Sequence, residues 1–185
     1  MGAAFAGYVP HGVIPAALLP FHDDLSVDER SYRAHLRDLA ATRGITAITT
    51  NAHASEVATC DAEEQRAVLA LTMDEVGDRL PVIAGIYADG THQAVGLARA
   101  AQAGGASALL VFPTNVLARG NAARPDCAAD HVRHIAAATD LPLILFQYPL
   151  ASGLTYPLPT LLALADEVPS VRAIKDWCGE PALAE

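Results

Sequence analysis

The apolar positions of this chain fall into short unbroken runs, separated by longer stretches in which they recur every three or four residues. Runs of the first kind read as strands buried on both faces, and stretches of the second as amphipathic helices. Gly12 to Leu19 (GVIPAALL) is the first run, and Ile45 to Thr50 (ITAITT), rich in β-branched residues, is the second. Pro81 to Ile86 (PVIAGI), Ala108 to Phe112 (ALLVF), Pro142 to Phe146 (PLILF) and Val171 to Lys175 (VRAIK) complete the series. Helical patterns fill the gaps. Ser26-x-x-Glu29 is a capping-box pattern that opens a helix to about Thr42, stopped by Gly44. Cys60-Asp61-Ala62-Glu63-Glu64 puts acids on the first turn of a helix ending near Gly77, where they meet the positive end of its dipole. Thr91 to Ala103 is an alanine-rich helix closed by Gly104-Gly105, Asp130 to Ala138 belongs to a fourth helix, and Pro157 to Glu167 is a fifth.

Strands and helices in strict alternation predict an α/β protein with a parallel sheet, because parallel neighbours need helical crossovers. No Gly/Ser linker, charge run or low-complexity block divides the chain, so residues 1–185 read as one domain. Two architectures fit six such units: an open doubly wound sheet, or about six of the eight units of a (β/α)8 TIM barrel. No G-x-G-x-x-G or Walker loop follows any strand, which weakens the nucleotide-binding form of the open sheet. At 185 residues the chain is shorter than the roughly 250 residues typical of a whole barrel.

Composition narrows the function classes. Hydrophobic residues make up 52% and charged ones 18%, a balance that builds a core and excludes disorder. With 12 basic against 21 acidic side chains the net charge is −9, which argues against nucleic acid as a partner. No apolar run reaches the ~18 residues of a membrane span, and the N-terminal MGAAFAGYVPHG lacks the form of a signal peptide, so the expectation is a soluble, cytoplasmic protein without a membrane partner. Cys60, Cys127 and Cys178 are odd in number and far apart, which suggests neither a disulfide framework nor a thiolate zinc site. Of the 12 basic residues, only Lys175 is a lysine.

In either architecture ligands bind at the carboxyl ends of the strands. Lys175 ends an apolar strand there. Burial disfavours its ammonium form and frees an amine that can attack a carbonyl and form a Schiff base, although a strand-end lysine can also simply reach into water. Tyr148 follows Phe146 by two residues, so in a continuing strand both face the same way about 7 Å apart, and the phenol is placed to move a proton. His53, in the turn after the second strand, is a second acid–base candidate, while Glu56 in the same turn can cap it by accepting backbone N–H bonds. Asn51, Ala54 and Phe146 lie at the same strand ends and are candidates for substrate contact. His131 and His134 have no further ligand set in reach, so no metal site is expected, and no organic cofactor is called for.

Several of these segments together resemble a family. Gly12-Val-Ile-Pro-Ala-Ala-Leu-Leu-Pro-Phe21, Ala62-Glu-Glu-Gln65, Pro81-Val-Ile-Ala-Gly85, Leu141-Pro-Leu-Ile-Leu-Phe-Gln-Tyr-Pro149 and Ile174-Lys175-Asp176 are similar, in order and spacing, to the dihydrodipicolinate synthase / N-acetylneuraminate lyase superfamily. The resemblance implies a β/α barrel, commonly a tetramer, whose strand-six lysine forms a Schiff base with pyruvate or a related 2-keto acid; Lys175 matches that lysine. It therefore implies a small-molecule carbonyl substrate and a homo-oligomer, tetramer or dimer, for a full-length version.

The chain also departs from the family pattern. The family's strand-two turn usually reads G-T-T-G-E, and Ala52-His53-Ala54-Ser55-Glu56 keeps only the glutamate. Phe146 stands where the Y-N-x-P motif has its catalytic tyrosine, and Gln147 replaces the asparagine. Phenylalanine has no proton to give, which leaves Tyr148 or His53 as substitutes. Ala151 stands where an arginine often grips the keto acid's carboxylate, which argues against pyruvate. The chain stops after the sixth strand, so the expectation is a fragment, or a chain that depends on partners to stay soluble. The leading reading is a Schiff-base lyase of the aldolase or dehydratase kind. Its rival is a catalytically inactive barrel remnant that binds a ligand or a subunit.

Overall fold

The computed structural model describes Phe5 and residues 7–118 and 120–179. Five strands form one parallel sheet: β1 (Ile48–Thr50), β2 (Val82–Ile86), β3 (Ala108–Val111), β4 (Leu143–Gln147) and β5 (Val171–Asp176). Helices α1 (Glu29–Ala41), α2 (Ala62–Val76), α3 (Thr91–Ala103), α4 (Pro125–Ala136) and α5 (Leu158–Glu167) alternate with them. The strands lie side by side in chain order, β1-β2-β3-β4-β5, and each helix packs on the next. An open doubly wound sheet reverses its strand order so that helices cover both faces; here the order never reverses. The molecule is part of a β/α barrel wall, and the doubly wound alternative falls.

Period-two alternation splits each strand between two environments. Outward residues such as Ile48, Val82, Leu109, Val111, Leu143 and Leu145 pack with Leu36, Val68, Ile135 and Leu164 of the helices into one buried layer. Inward residues, Ile83, Leu110, Phe112, Ile144 and Phe146 among them, form a second cluster on the concave face. Each fully buried aliphatic side chain of the outer layer contributes about 1.5–3 kcal/mol before chain entropy is counted. A buried polar link fastens the same layer: the Tyr32 hydroxyl bonds Thr50 Oγ1 at 2.9 Å and Thr72 Oγ1 at 2.8 Å, joining α1, β1 and α2.

Four boundaries differ from the sequence expectation. The Gly12–Leu19 run does not form a ladder strand. It lies parallel to β1 through isolated bridges, Val13 to Ile45 and Ala16 to Thr49, because Pro15 has no N–H with which to continue the pairing. β1 itself is confined to Ile48–Thr50, and Ile45 pairs with the first run only through its isolated bridge to Val13 while its N–H turns back to the Thr42 carbonyl. α1 is capped by Asp28, whose carboxylate accepts the Ser31 N–H at 3.0 Å. Ser26, expected in that place, is taken by Asp24, which accepts both its N–H and its hydroxyl. α4 starts at Pro125, ahead of the expected Asp130, since proline at the first helical position costs no hydrogen bond. The acidic start of α2 is a full capping box, with Asp61 accepting from Glu63 and Glu64 N–H and Glu64 accepting from Asp61 N–H.

Two pairings place the concave mouth. β4 and β5 are in register with Phe146 beside Lys175 and Gln147 beside Asp176, after an irregularity between Leu143 and Ile144. β5 is the last strand of the sheet, and Ile174 on its outer side is 47% exposed. No helix among the described residues is long and apolar enough to cross a membrane.

Candidate active site

At the carboxyl ends of β3, β4 and β5 the inward positions change from aliphatic to aromatic. Phe112 follows β3, Phe146 ends the inner face of β4, Tyr148 stands two residues beyond, and Lys175 and Trp177 take successive inward positions on and after β5. The turn after β1 brings His53 across to them. Its imidazole stacks on Phe112 with ring centroids 5.1 Å apart, meets Phe146 edge-on at 5.6 Å, and shares a hydrogen bond with the Tyr148 hydroxyl through Nε2. Tyr148 packs on Phe146 at 4.7 Å, as expected for side chains two apart on one strand face.

The turn carrying His53 owes its position to backbone geometry. Asn51 adopts a left-handed φ of 51° and sends its carbonyl towards β2, where Gly85 has no side chain; a Cβ there would lie 1.8 Å from that oxygen. The Asn51 side chain turns to the helix side and donates to the Gln65 carbonyl at 2.8 Å. The turn is closed by Ser55, whose hydroxyl accepts the Ala52 N–H and donates to the Ala17 carbonyl. Glu56 takes no part in that closure with its carboxylate; its left-handed backbone carbonyl accepts the Thr59 hydroxyl instead.

Lys175 Nζ sits 4.1 Å from the centroid of the Phe146 ring and has no ion pair or hydrogen bond among the described residues. The residue as a whole is exposed, yet partial removal of its amine from water lowers the lysine pKa below its ordinary value. The same desolvation, and then the charge of Lys175, lowers the pKa of His53. Burial, and then Tyr87, raises that of Tyr148. Near neutrality, then, the site holds a neutral imidazole, a protonated phenol and a lysine that releases its proton more readily than a solvated one. In the Nδ1-protonated tautomer the phenol donates to His53 Nε2, which makes a ready proton path.

Of the residues singled out in the sequence, the structure brings together Lys175, Tyr148, His53 and Phe146. Ala54 lies on the outer side of its turn, beside Leu18, His35 and Glu56, and Asn51 is buried with its amide committed to Gln65. Gln147 is equally committed: its side chain donates to the Tyr156 carbonyl and accepts the Tyr156 N–H. His131 is buried on α4 and bonded to Thr91, and among the described residues no group of three or more potential ligands gathers for a metal. Trp177 was not singled out. It stands 5.8 Å from Tyr148 and 6.1 Å from both His53 and Phe146, and the signal for it was the same two-residue spacing, counted onward from Lys175.

Below this mouth the concave face holds a cavity of about 240 Å³ lined by Ile14, Thr49, Ile83, Leu110, Ile144 and Lys175 among others. A larger groove, about 730 Å³, lies at the opposite ends of β4 and β5, beside Tyr8, Pro142 and Arg172, away from the lysine. Ligands of parallel β/α sheets bind at the carboxyl ends, and the chemistry-bearing side chains converge there, so the smaller cavity is the one of interest.

The sequence model described as the dihydrodipicolinate synthetase family matches residues 9–184. A 4-hydroxy-tetrahydrodipicolinate synthase of Salinibacter ruber is 33% identical over 169 residues, covering 91% of this chain and 54% of that protein. The Pseudomonas aeruginosa protein of the same name is 35% identical over 170 residues, 91% of this chain and 56% of its own. Among solved structures, dihydrodipicolinate synthase DapA-2 from Bacillus anthracis superposes with a TM-score of 0.82 at 26% identity, over 96% of this chain and 59% of that one. The Aquifex aeolicus dihydrodipicolinate synthase, at 24% identity, shares the fold with a TM-score of 0.84 over 92% and 56%. The chain thus spans a little over half the length of the curated relatives it matches.

Proposed function

Because the chain belongs to the dihydrodipicolinate synthetase family, we propose that it acts as a lyase of the aldolase or dehydratase kind, holding a small carbonyl substrate as a Schiff base on Lys175. The observation that carries this reading is the placement of the sole lysine: its amine lies against an aromatic ring, without a counter-ion among the described residues, beside a hydrogen-bonded Tyr–His pair.

The chemistry follows from those groups. The free amine of Lys175 adds its electron pair to the carbonyl carbon, and the proton that the nitrogen then sheds passes to the oxygen to give a neutral carbinolamine. Tyr148 delivers a proton to the hydroxyl, which leaves as water as the nitrogen pair closes the C=N bond. The phenolate regains a proton from solvent by way of His53, so Tyr148 ends as it began and the imine keeps the proton on its nitrogen. A protonated imine is an electron sink, and breaking a neighbouring C–C or C–H bond leaves the electrons in an enamine. Hydrolysis then frees the lysine.

Borohydride reduction in the presence of a carbonyl compound converts such an imine into a stable secondary amine. Since the chain has a single lysine, peptide mapping has one internal amine to find. A mass gain on Lys175, absent from Lys175→Ala, is the expected result; turnover by Lys175→Ala at the wild-type rate would overturn the proposal. One observation favours a second reading, a binding protein without catalysis: the usual tyrosine position beside the lysine is Phe146, which supplies no proton. Ligand binding that survives Lys175→Met, with no imine trapped, would select that reading.

A further inference from the structure

The surroundings of Lys175 are unusually uniform in chemistry. Phe112, Phe146, Tyr148, Trp177 and His53 form one network of rings with neighbouring centroids 4.7 to 6.1 Å apart, in stacked and edge-to-face arrangements. Among the described residues no arginine bears on the groups at its centre: besides burial, only Lys175 acts on His53 and only Tyr87 on Tyr148. Polar side chains at the neighbouring rim are already engaged, with the Asn115 amide donating to the Tyr87 hydroxyl at 2.7 Å. A carboxylate brought beside Lys175 would lose its water and gain no guanidinium among the described residues, whereas an apolar ring would exchange water for ring contacts.

Phe112, Phe146 and Tyr148 are buried, so Trp177 is the large apolar ring of this network that stays uncovered, with the exposed His53 beside it. Its backbone is pinned, its N–H donating to the Gln147 carbonyl at 2.9 Å, and the next N–H, of Cys178, donates to Asp176 Oδ1 at 2.8 Å. Its indole meets the rings of His53 and Tyr148 edge-to-face and is still 55% exposed, two residues from the lysine. A large apolar side chain held in place but left half uncovered, next to a nucleophile, is a surface waiting for a ligand.

We propose that Trp177 determines substrate specificity, and that the carbonyl compounds this site takes carry a planar aromatic substituent instead of a carboxylate. This rests on the Schiff-base reading for the position of the reacting carbon, but the selectivity for a ring is a property of the wall.

The two are separable by experiment. In reductive trapping on the full chain, with rates normalised to a free lysine amide, benzaldehyde is expected to label Lys175 about tenfold faster than pyruvate. Trp177→Ala should remove that advantage, while Trp177→Phe keeps most of it. Trp177 is also the only tryptophan, so its emission reports occupancy without any imine. 4-Nitrobenzyl alcohol, a ring with no carbonyl, should quench it saturably, and pyruvate should not compete. Saturable quenching with no adduct from any carbonyl would uphold the aromatic wall and sink the Schiff base. Equal labelling by pyruvate and benzaldehyde, indifferent to Trp177→Ala, would overturn the wall and leave the Schiff base standing. Neither quenching nor adduct would defeat both.

Discussion

The two faces of the sheet are built from alternate residues of the same strands, yet they do opposite things. The face towards the helices is aliphatic and closed: Leu109, Leu143, Leu145 and Ile135 have no exposed surface, and its polar groups, Tyr32, Thr50 and Thr72, satisfy one another. The concave face is aliphatic only at its floor. Towards the carboxyl ends it becomes aromatic, carries the sole lysine and opens to water at Trp177. Packing energy accumulates where water is excluded from all sides, whereas a reactive amine needs burial enough to shed its proton and exposure enough to meet a substrate. Strands β2, β3 and β4 serve both faces because their side chains alternate, whereas β5, at the sheet's edge, points Lys175 to the mouth and leaves Ile174 exposed on the other side.

This division can be attacked residue by residue. Lys175→Met should abolish imine trapping altogether and leave the unfolding midpoint unchanged, since Nζ has no polar partner to lose among the described residues. On the other face, Leu109→Ala should cost about 2–5 kcal/mol in urea unfolding, because it opens a cavity in a layer that cannot collapse. If the two variants exchanged these outcomes, the assignment of faces would be wrong. Tyr148→Phe should slow imine formation by about 10²-fold through loss of the proton donor, with little change in the aromatic packing.

Two pH effects sharpen the contrast. Desolvation lowers the Lys175 pKa, so trapping should rise with pH and reach its plateau below the pH needed by a solvated lysine; the raised Tyr148 pKa keeps the phenol protonated there. On the helix side, burial and then His134 lower the pKa of His131. The unfolded chain therefore takes up a proton, below about pH 6.5, that the folded chain resists, and stability falls as pH falls through that range. This is the smallest effect of the set, and His131→Gln should flatten the slope in acid unfolding.

Much of this could be read along the chain. Unbroken apolar runs and capping patterns located four of the five ladder strands nearly to the residue, and a lone lysine at the end of an apolar strand pointed to the mouth. The failures were local competitions. Ser26 and Asp28 both suit a helix start, and the outcome turned on Asp24 capturing the serine. Asn51, His53 and Ala54 lie within four residues of one another, yet only His53 reaches the site. A left-handed Asn51 and the space over Gly85 rotate its neighbours to other faces, and no pattern of hydrophobicity encodes that rotation.

The sequence by itself determined the α/β alternation, the parity that separates core from mouth, and the placing of the sole lysine at the end of an apolar strand. Each depends on a period or a residue type that survives without any neighbour. Only the tertiary structure decided that the strands run in unreversed order, that His53 meets Tyr148 across 95 residues of chain, and that Trp177 joins them. Those facts depend on which crossover closes against which edge, a choice made by the packing of whole layers.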